Sequence, residues 1–523
     1  MRAGRWEQIA FAVLTLVGLV FWGGQTGIDG PFVYHVDEVQ VAARAFRIAA
    51  TGELDPQFLI YPHLVLYLEA GVAAVSAWLG GPAPSIALDP YHPPPLSAFP
   101  LYASIRWVSV LATTGTMLLV ALLTRRLFGA VAGLVAGLVF LGSNLVRNSA
   151  WHGTVDATLV FFVTAGLFAA TMALADPRDP TDVARRDRWI WLACAAFALA
   201  TATKYNGALC FAYIPFLWRS TGASWPKVAR ATLLGAAFAL LIFAALSPFV
   251  LVHVEGLISP EAGGLMFDVV HYASGHEGFD AQPAWRLALA ELHNHVTRAS
   301  VFAIALPFAL RVSRQRRALF LLLAHTLLVF LVVTRFRVFF PRNVLPLVPA
   351  WIALLVGSTW EASCALAERW RQGLKESLRR WLPPLGAGIV LAISLAHDRR
   401  TARAVYEDLT LPDTRSIALE WMERELPKNV RIMRDGYAPH TELLGWPTVI
   451  TPKLGDVRAG DIAAQADVVI ASSTQWARFE RSGFATYHAL LALTPRARWE
   501  PEPARTRGPT LHLYDTSGIA AEP

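Results

Sequence analysis

Charge is what this chain most lacks. Asp, Glu, Lys and Arg make up only 16% of its 523 residues, against 54% hydrophobic residues. A water-soluble chain of this length needs far more surface charge, so the composition excludes a soluble fold and implies a polytopic membrane protein. Cysteine is also scarce: Cys194, Cys210 and Cys364 form an odd set with no Cys-x-x-Cys spacing. That excludes a disulfide framework and a zinc site and leaves three small hydrophobes. No internal repeat, long low-complexity tract or basic, aromatic-interleaved motif appears, so no nucleic-acid partner is expected. The formal charge of +7 is assigned to cytoplasmic loops. What is plentiful is aromatic: 18 Trp and 28 Phe suit interfacial belts and lipid-facing helices in contact with the bilayer.

Basic loops set the expected topology. Arg2 and Arg5 precede the apolar run 9–22, which has no cleavage site after it and reads as an uncleaved first span with a cytoplasmic N-terminus. Gly23, Gly24, Gly27 and Gly30-Pro31 then break the helix, and Asp37-Glu38 follow where the chain leaves the bilayer on the outer side. Arg125-Arg126, the Arg-rich loop 176–188, Arg311–Arg317 and the segment 368–381 all read as cytoplasmic. For Arg125-Arg126 to lie inside, the apolar stretch 58–80 must not cross; it is expected as an interfacial or re-entrant helix, with Glu69 taken as a surface residue. The stretch 81–103, with Asp89, many prolines and no Lys or Arg, reads as external. The scheme has about eleven crossings plus juxtamembrane helices, with external loops at 28–104 and 251–296. Residues 1–399 form the membrane part. From 400 to 523 the chain turns polar, with a helix-like 414–426 and strand-like runs at 429–433, 467–471 and 510–514: a small α/β domain on the outer side.

This topology gathers groups that are far apart in sequence onto the outer face. They are Asp37 and Glu38; Tyr61, Pro62 and His63; Arg147, His152 and Asp156; Lys204 and Tyr205; His271 and His276; and Arg335, Arg337 and Arg342. Arginines on the outer side run against the positive-inside trend and call for an anion to bind. A carboxylate can deprotonate an acceptor hydroxyl, and Lys and Arg can hold a phosphate as leaving group. Blander readings stand beside these: a helix-start acidic pair at Asp37-Glu38, a helix-capping Lys204, a dipole partner at Asp156 and snorkelling arginines. The histidines are spread over one loop, so no metal site is expected, and a divalent cation stays open as a cofactor. A transporter or flippase for a lipid-linked or anionic solute is the alternative reading; it would place paired charges deep within spans.

The motifs resemble the polyprenyl-phosphate-dependent membrane glycosyltransferases of the GT-C fold, in particular the protein O-mannosyltransferase and lipid A aminoarabinose transferase group. The resemblance rests on Asp37-Glu38, Tyr61-Pro62-His63-Leu64, the turn from Arg147 to Asp156, Thr203-Lys204-Tyr205-Asn206-Gly207, Gly275-His276-Glu277-Gly278 and the run from Pro341 to Pro349. It implies inverting transfer of a hexose or pentose from a polyprenyl-phosphate carrier to a glycan, lipid or protein hydroxyl at the outer face of the cell membrane. Asp37 would be the base, Glu38 would orient acceptor or sugar, and Asp156 would be a second acidic group. Tyr61, His63, Arg147, His152, Lys204, Tyr205, His276, Arg337 and Arg342 would bind the lipid phosphate and sugar. Many relatives have Lys-Pro-Pro-Leu where this chain has Tyr61 to Leu64, which shifts the phosphate contact toward Lys204 and the arginines; His63 would substitute only if protonated.

Overall fold

The computed structural model describes residues 4–84, 94–174, 183–259, 264–274, 283–370, 375–451, 454–479 and 485–519. His276 with its glycine surround, Asp89 and the Pro-rich 176–182 lie outside these residues, and of His271 only the backbone is described. The chain is mostly helical. Eight helices lead it: α1 (Arg5–Gly23), α2 (Val36–Thr51), α3 (Leu64–Trp78), α4 (Phe99–Phe128), α5 (Ala130–Leu141), α6 (Asn144–Ala150), α7 (Val155–Leu174) and α8 (Val183–Thr203). Among the described residues six helices are single, long and apolar enough to cross a bilayer, including α1, α4, α7, Trp225–Leu246 and Arg316–Arg335. Two bent pairs raise the number to as many as eight: α5 with α6, bent by 67°, and Ala284–Val296 with Arg298–Val312, bent by 108°. The chain is a multi-pass membrane protein.

The juxtamembrane segment after α1 positions the site. Helix α3 has 15 residues, a length of about 23 Å against a hydrocarbon core of about 30 Å. It packs on α2 and α4 rather than forming a full span. Glu69 on it is fully buried, not a surface residue as expected, because α3 turns that face onto α2 and α4. The stretch 189–218 forms most of α8, a break at Lys204, a 3-10 segment over Tyr205–Tyr213 and the helix Ile214–Ser220. Gly207 permits the reversal: a Cβ there would lie 2.4 Å from the carbonyl carbon of Ala200.

The helix Glu376–Thr410 runs past the expected division at 399/400 and leads into the C-terminal α/β unit. That unit is a five-stranded sheet of β1 (Ile432–Asp435), β2 (Thr448–Thr451), β3 (Val468–Ser472), β4 (Ala497–Trp499) and β5 (Leu511–Asp515), in the order β2-β1-β3-β5-β4. Strand β1 is parallel to β2 and β3, whereas β5 is antiparallel to β3 and β4. Alternation divides the side chains between two cores, as a period of two requires. Ile432, Val468, Ile470 and Leu513 pack with Leu419 and Met422, whereas Met433, Val469, Ala471 and Tyr514 pack with Leu454, Ile462 and Tyr487.

Candidate active site

Asp37 and Glu38 are neighbours with opposite surroundings. Adjacent residues on a helix point about 100° apart, so the first turn of α2 can send one carboxylate to a cavity and the other to the core. Glu38 goes to the core. It is fully buried, and Arg106 of α4 donates to both its oxygens, from Nε to Oε1 at 2.7 Å and from Nη2 to Oε2 at 2.8 Å. The N–H of Gly153 adds 2.7 Å to Oε1. Burial opposes the charge, but Arg106 outweighs it and holds the carboxyl at about 2. Arg106 also donates to the carbonyls of Thr26 and Ile28 at 2.7 and 2.8 Å, which anchors the loop before α2. Glu38 is therefore placed as a structural partner of Arg106 rather than toward an acceptor or sugar.

Asp37 faces a ladder of charges. Arg342, in the 3-10 segment Pro341–Leu347, donates from Nη1 to Asp37 Oδ2. Its Nε lies 3.9 Å from Asp156 Oδ2, and Lys204 Nζ donates to Asp156 Oδ1 at 2.9 Å. Two carboxylates and two cations thus alternate Asp37, Arg342, Asp156, Lys204, drawn from four distant parts of the chain. Every one sits at a helix end: Asp37 and Asp156 in the first turns of α2 and α7, Lys204 just past α8, and Arg342 at the start of its segment. The Asp37 side chain is 30% exposed and that of Asp156 8%, so the ladder is open at the Asp37 end. Burial works against ionised Asp37, but Arg342, His35 and Lys204 together hold its carboxyl below the usual range.

Tyr61 closes one side, with Lys204 Nζ 5.6 Å from its ring centre. Burial, then the Asp37 charge, keep its hydroxyl protonated. Tyr205 ties the turn after α8 to this strand of chain by donating to the Leu59 carbonyl at 2.9 Å. His152 faces His35, with ring centres 4.4 Å apart, and its Nδ1 donates to the Asn148 carbonyl at 3.0 Å. Arg147 is buried with its guanidinium 4.9 Å above the Trp151 ring. Arg337 is exposed and its backbone N–H donates to the Tyr272 carbonyl at 3.0 Å.

His63 is not placed as a cationic stand-in for the missing lysine. It is buried, its Nε2 donates to the Phe58 carbonyl at 3.2 Å, and its ring lies beside Phe249. Burial keeps it neutral. Three residues were not read from the sequence as part of the site. Tyr272, on the helix Leu265–Ser274, packs against Phe336 and Phe340. Arg106 carried a usable signal, since a lone arginine within the apolar run 105–123 demands a buried partner. Glu69 had the same signal; burial and the nearby Glu38 carboxylate raise its pKa well above normal, so it is a neutral acid. Among the described residues no three His, Cys, Asp or Glu converge on a cation, and Arg342 bridges Asp37 and Asp156.

Residues 101–249 match the dolichyl-phosphate-mannose-protein mannosyltransferase family model, a stretch that includes Arg106, Arg147, Asp156 and Lys204. No curated protein sequence matches the chain. The fold is similar to that of ArnT from Cupriavidus metallidurans in the apo state, with a TM-score of 0.54 and 15% identity over 98% of this chain and 99% of that one. The same protein bound to undecaprenyl phosphate gives 0.53 and 16% over 99% and 100%. The apo oligosaccharyltransferase of Archaeoglobus fulgidus gives 0.54 and 12% over 89% of this chain and 69% of that one. At these identities the solved structures speak for the fold. Together these matches show a membrane protein with the fold of ArnT, in which residues 101–249 match the mannosyltransferase family model.

Proposed function

We propose that this chain moves a sugar from a polyprenyl-phosphate carrier to an acceptor hydroxyl at the non-cytoplasmic face, with inversion at the anomeric carbon. The observation that carries the reading is the ladder Asp37, Arg342, Asp156, Lys204. Lys204 and Arg342 are the groups to hold the donor phosphate, through charge-assisted hydrogen bonds. Asp37 is the base. Held ionised by its cations, it is ready to accept a proton at neutral pH. An arriving phosphate competes for Arg342, and losing that partner makes Asp37 more basic as the acceptor enters.

In the step itself, the acceptor oxygen bonds to the anomeric carbon as its proton passes to Asp37. The bond from that carbon to the phosphate oxygen breaks, and the electron pair leaves with the phosphate. No acid is required, because the leaving phosphate needs only its cations. The developing positive charge on the sugar is stabilised by Asp37 and Asp156. The placement of all four charges at helix ends, rather than in mid-span, favours this over carriage of a solute across the membrane.

The test is transfer by the purified protein in liposomes, using radiolabelled polyprenyl-phosphate hexoses and pentoses and a panel of lipid, glycan and peptide acceptors. Release of polyprenyl phosphate with a labelled product supports the reading, and the anomeric coupling in the product reports inversion. Label appearing inside the liposomes without bond cleavage would make it a transporter.

A further inference from the structure

The C-terminal unit grips the strap of chain that ends at the catalytic helix. Residues 32–35 belong to no helix or strand and lead straight into α2, with His35 in extended backbone. Their side chains alternate between two bodies, as those of an extended chain do. Phe32 packs into the core of Leu419, Met422, Ile432 and Trp446 in the C-terminal unit. Val33 packs the other way, with Val39, Phe46, Tyr102 and Ile105. Tyr34 returns to the C-terminal unit: the Arg415 guanidinium lies 3.4 Å over its ring, and His440 stacks on it with centres 5.0 Å apart. His35 turns back to the membrane part and caps α2, its Nδ1 accepting from the Glu38 N–H at 3.3 Å.

The grip has polar fastenings at both ends. His440 Nε2 donates to the Val33 carbonyl at 3.2 Å, and Arg507 pairs with Asp29 at 2.8 Å. Arg415 is itself fixed by two 2.8 Å bonds to Asp413. The gripping loop follows the carboxyl end of β1, where β2 and β3 lie on either side of it. In open α/β sheets that switch point is the place where a ligand ordinarily binds. Here the crevice receives a piece of the same chain.

We infer that the C-terminal unit is a positioning device for Asp37, acting through Tyr34, Phe32 and His440 on the entry angle of α2; the inference rests on the base role proposed for Asp37. The unit need not touch donor or acceptor to act. A shift of about 1 Å at a reacting group can cost about a hundredfold in rate. Contacts three to five residues upstream of Asp37 are close enough to impose or prevent one.

The test uses the full-length protein and the transfer assay. Tyr34→Ala removes the ring that Arg415 and His440 hold. It should lower kcat by about ten- to a hundredfold, leave the donor KM unchanged and speed hydrogen exchange at the amides of residues 36–40. Tyr34→Phe keeps the ring and should restore all three. If Tyr34→Ala does not accumulate, His440→Phe replaces it, since that change keeps the stacked ring and deletes only the bond to Val33. Wild-type kcat and exchange in a folded Tyr34→Ala protein would overturn the inference, as would failure of Tyr34→Phe to restore activity. A wild-type protein that transfers no sugar would remove the catalytic reading alone; the exchange at 36–40 would still decide whether the C-terminal unit holds α2.

Discussion

At the scale of single residues, the instructive pair is Asp37 and Glu38. The sequence reading assigns both to the reaction, but one helical step separates the part-exposed Asp37, paired with Arg342, from the core ion pair of Glu38. Asp37→Asn should cut transfer by about 10²–10⁴-fold while tightening polyprenyl-phosphate binding, because Arg342 is released from its partner; titration with the unlabelled lipid phosphate measures the second effect. Glu38→Gln and Arg106→Met should each cost about 3–5 kcal/mol of stability by stranding a buried charge. The double variant should cost less than their sum, and a thermal-melting double-mutant cycle reads the difference. His35 gives a pH dependence. Burial, then His152, push it down to about 4, so the folded protein holds it neutral where an unfolded chain would protonate it. Stability should fall as pH drops from about 6.5 toward 4, and His35→Gln should flatten that decline in melting temperature. Asp37, Asp156, Lys204 and Arg342 were legible in the sequence because charges at span ends are conspicuous. Which of Asp37 and Glu38 faces the cavity was not, because it depends on the rotation of α2 against α4.

At the scale of elements, the break after α8 sets the position of Lys204. Its backbone N–H still bonds to the Ala200 carbonyl at 3.0 Å, and the Gly207 N–H returns to the Lys204 carbonyl at 2.9 Å. The turn is tight enough that a methyl at Gly207 meets the backbone of Ala200. Gly207→Ala should therefore move the 3-10 segment off α8, raise the donor KM and lower the melting temperature, whereas Ala208→Gly should do neither; donor titration of the two variants checks this. The break was legible from the length of the run 189–218, which at about 1.5 Å per residue is too long for one crossing and makes two short helices. The interfacial placement of 58–80 came instead from the charge of the Arg125-Arg126 loop, since the apolar run is itself long enough to cross. The buried face of α3 was not legible: Glu69 read as a surface mark because only the packed structure shows α2 and α4 covering it.

At the scale of the whole molecule, the chain places its basic ends and its charge ladder in different regions. Arg125, at the far end of α4 from Arg106, pairs with Glu7 at 2.6 Å near the start of α1. A single cysteine in place of exposed Glu500 should react with an impermeant maleimide in right-side-out vesicles, and one in place of exposed Arg314 only after permeabilisation. Mass spectrometry of the labelled chain measures both and tests the proposed orientation. Strands β1, β3 and β5 were legible from their patterns, β2 and β4 were not, and neither was the docking on residues 29–35, since those contacts join segments more than four hundred positions apart. The ladder has one more consequence. With two carboxylates matched to two cations, the resting pocket has no net charge of its own to draw soluble anions out of the surrounding water. Nucleotide sugars and free phosphates gain little there, and selectivity passes to whatever arrives sideways through the bilayer with a hydrophobic tail attached.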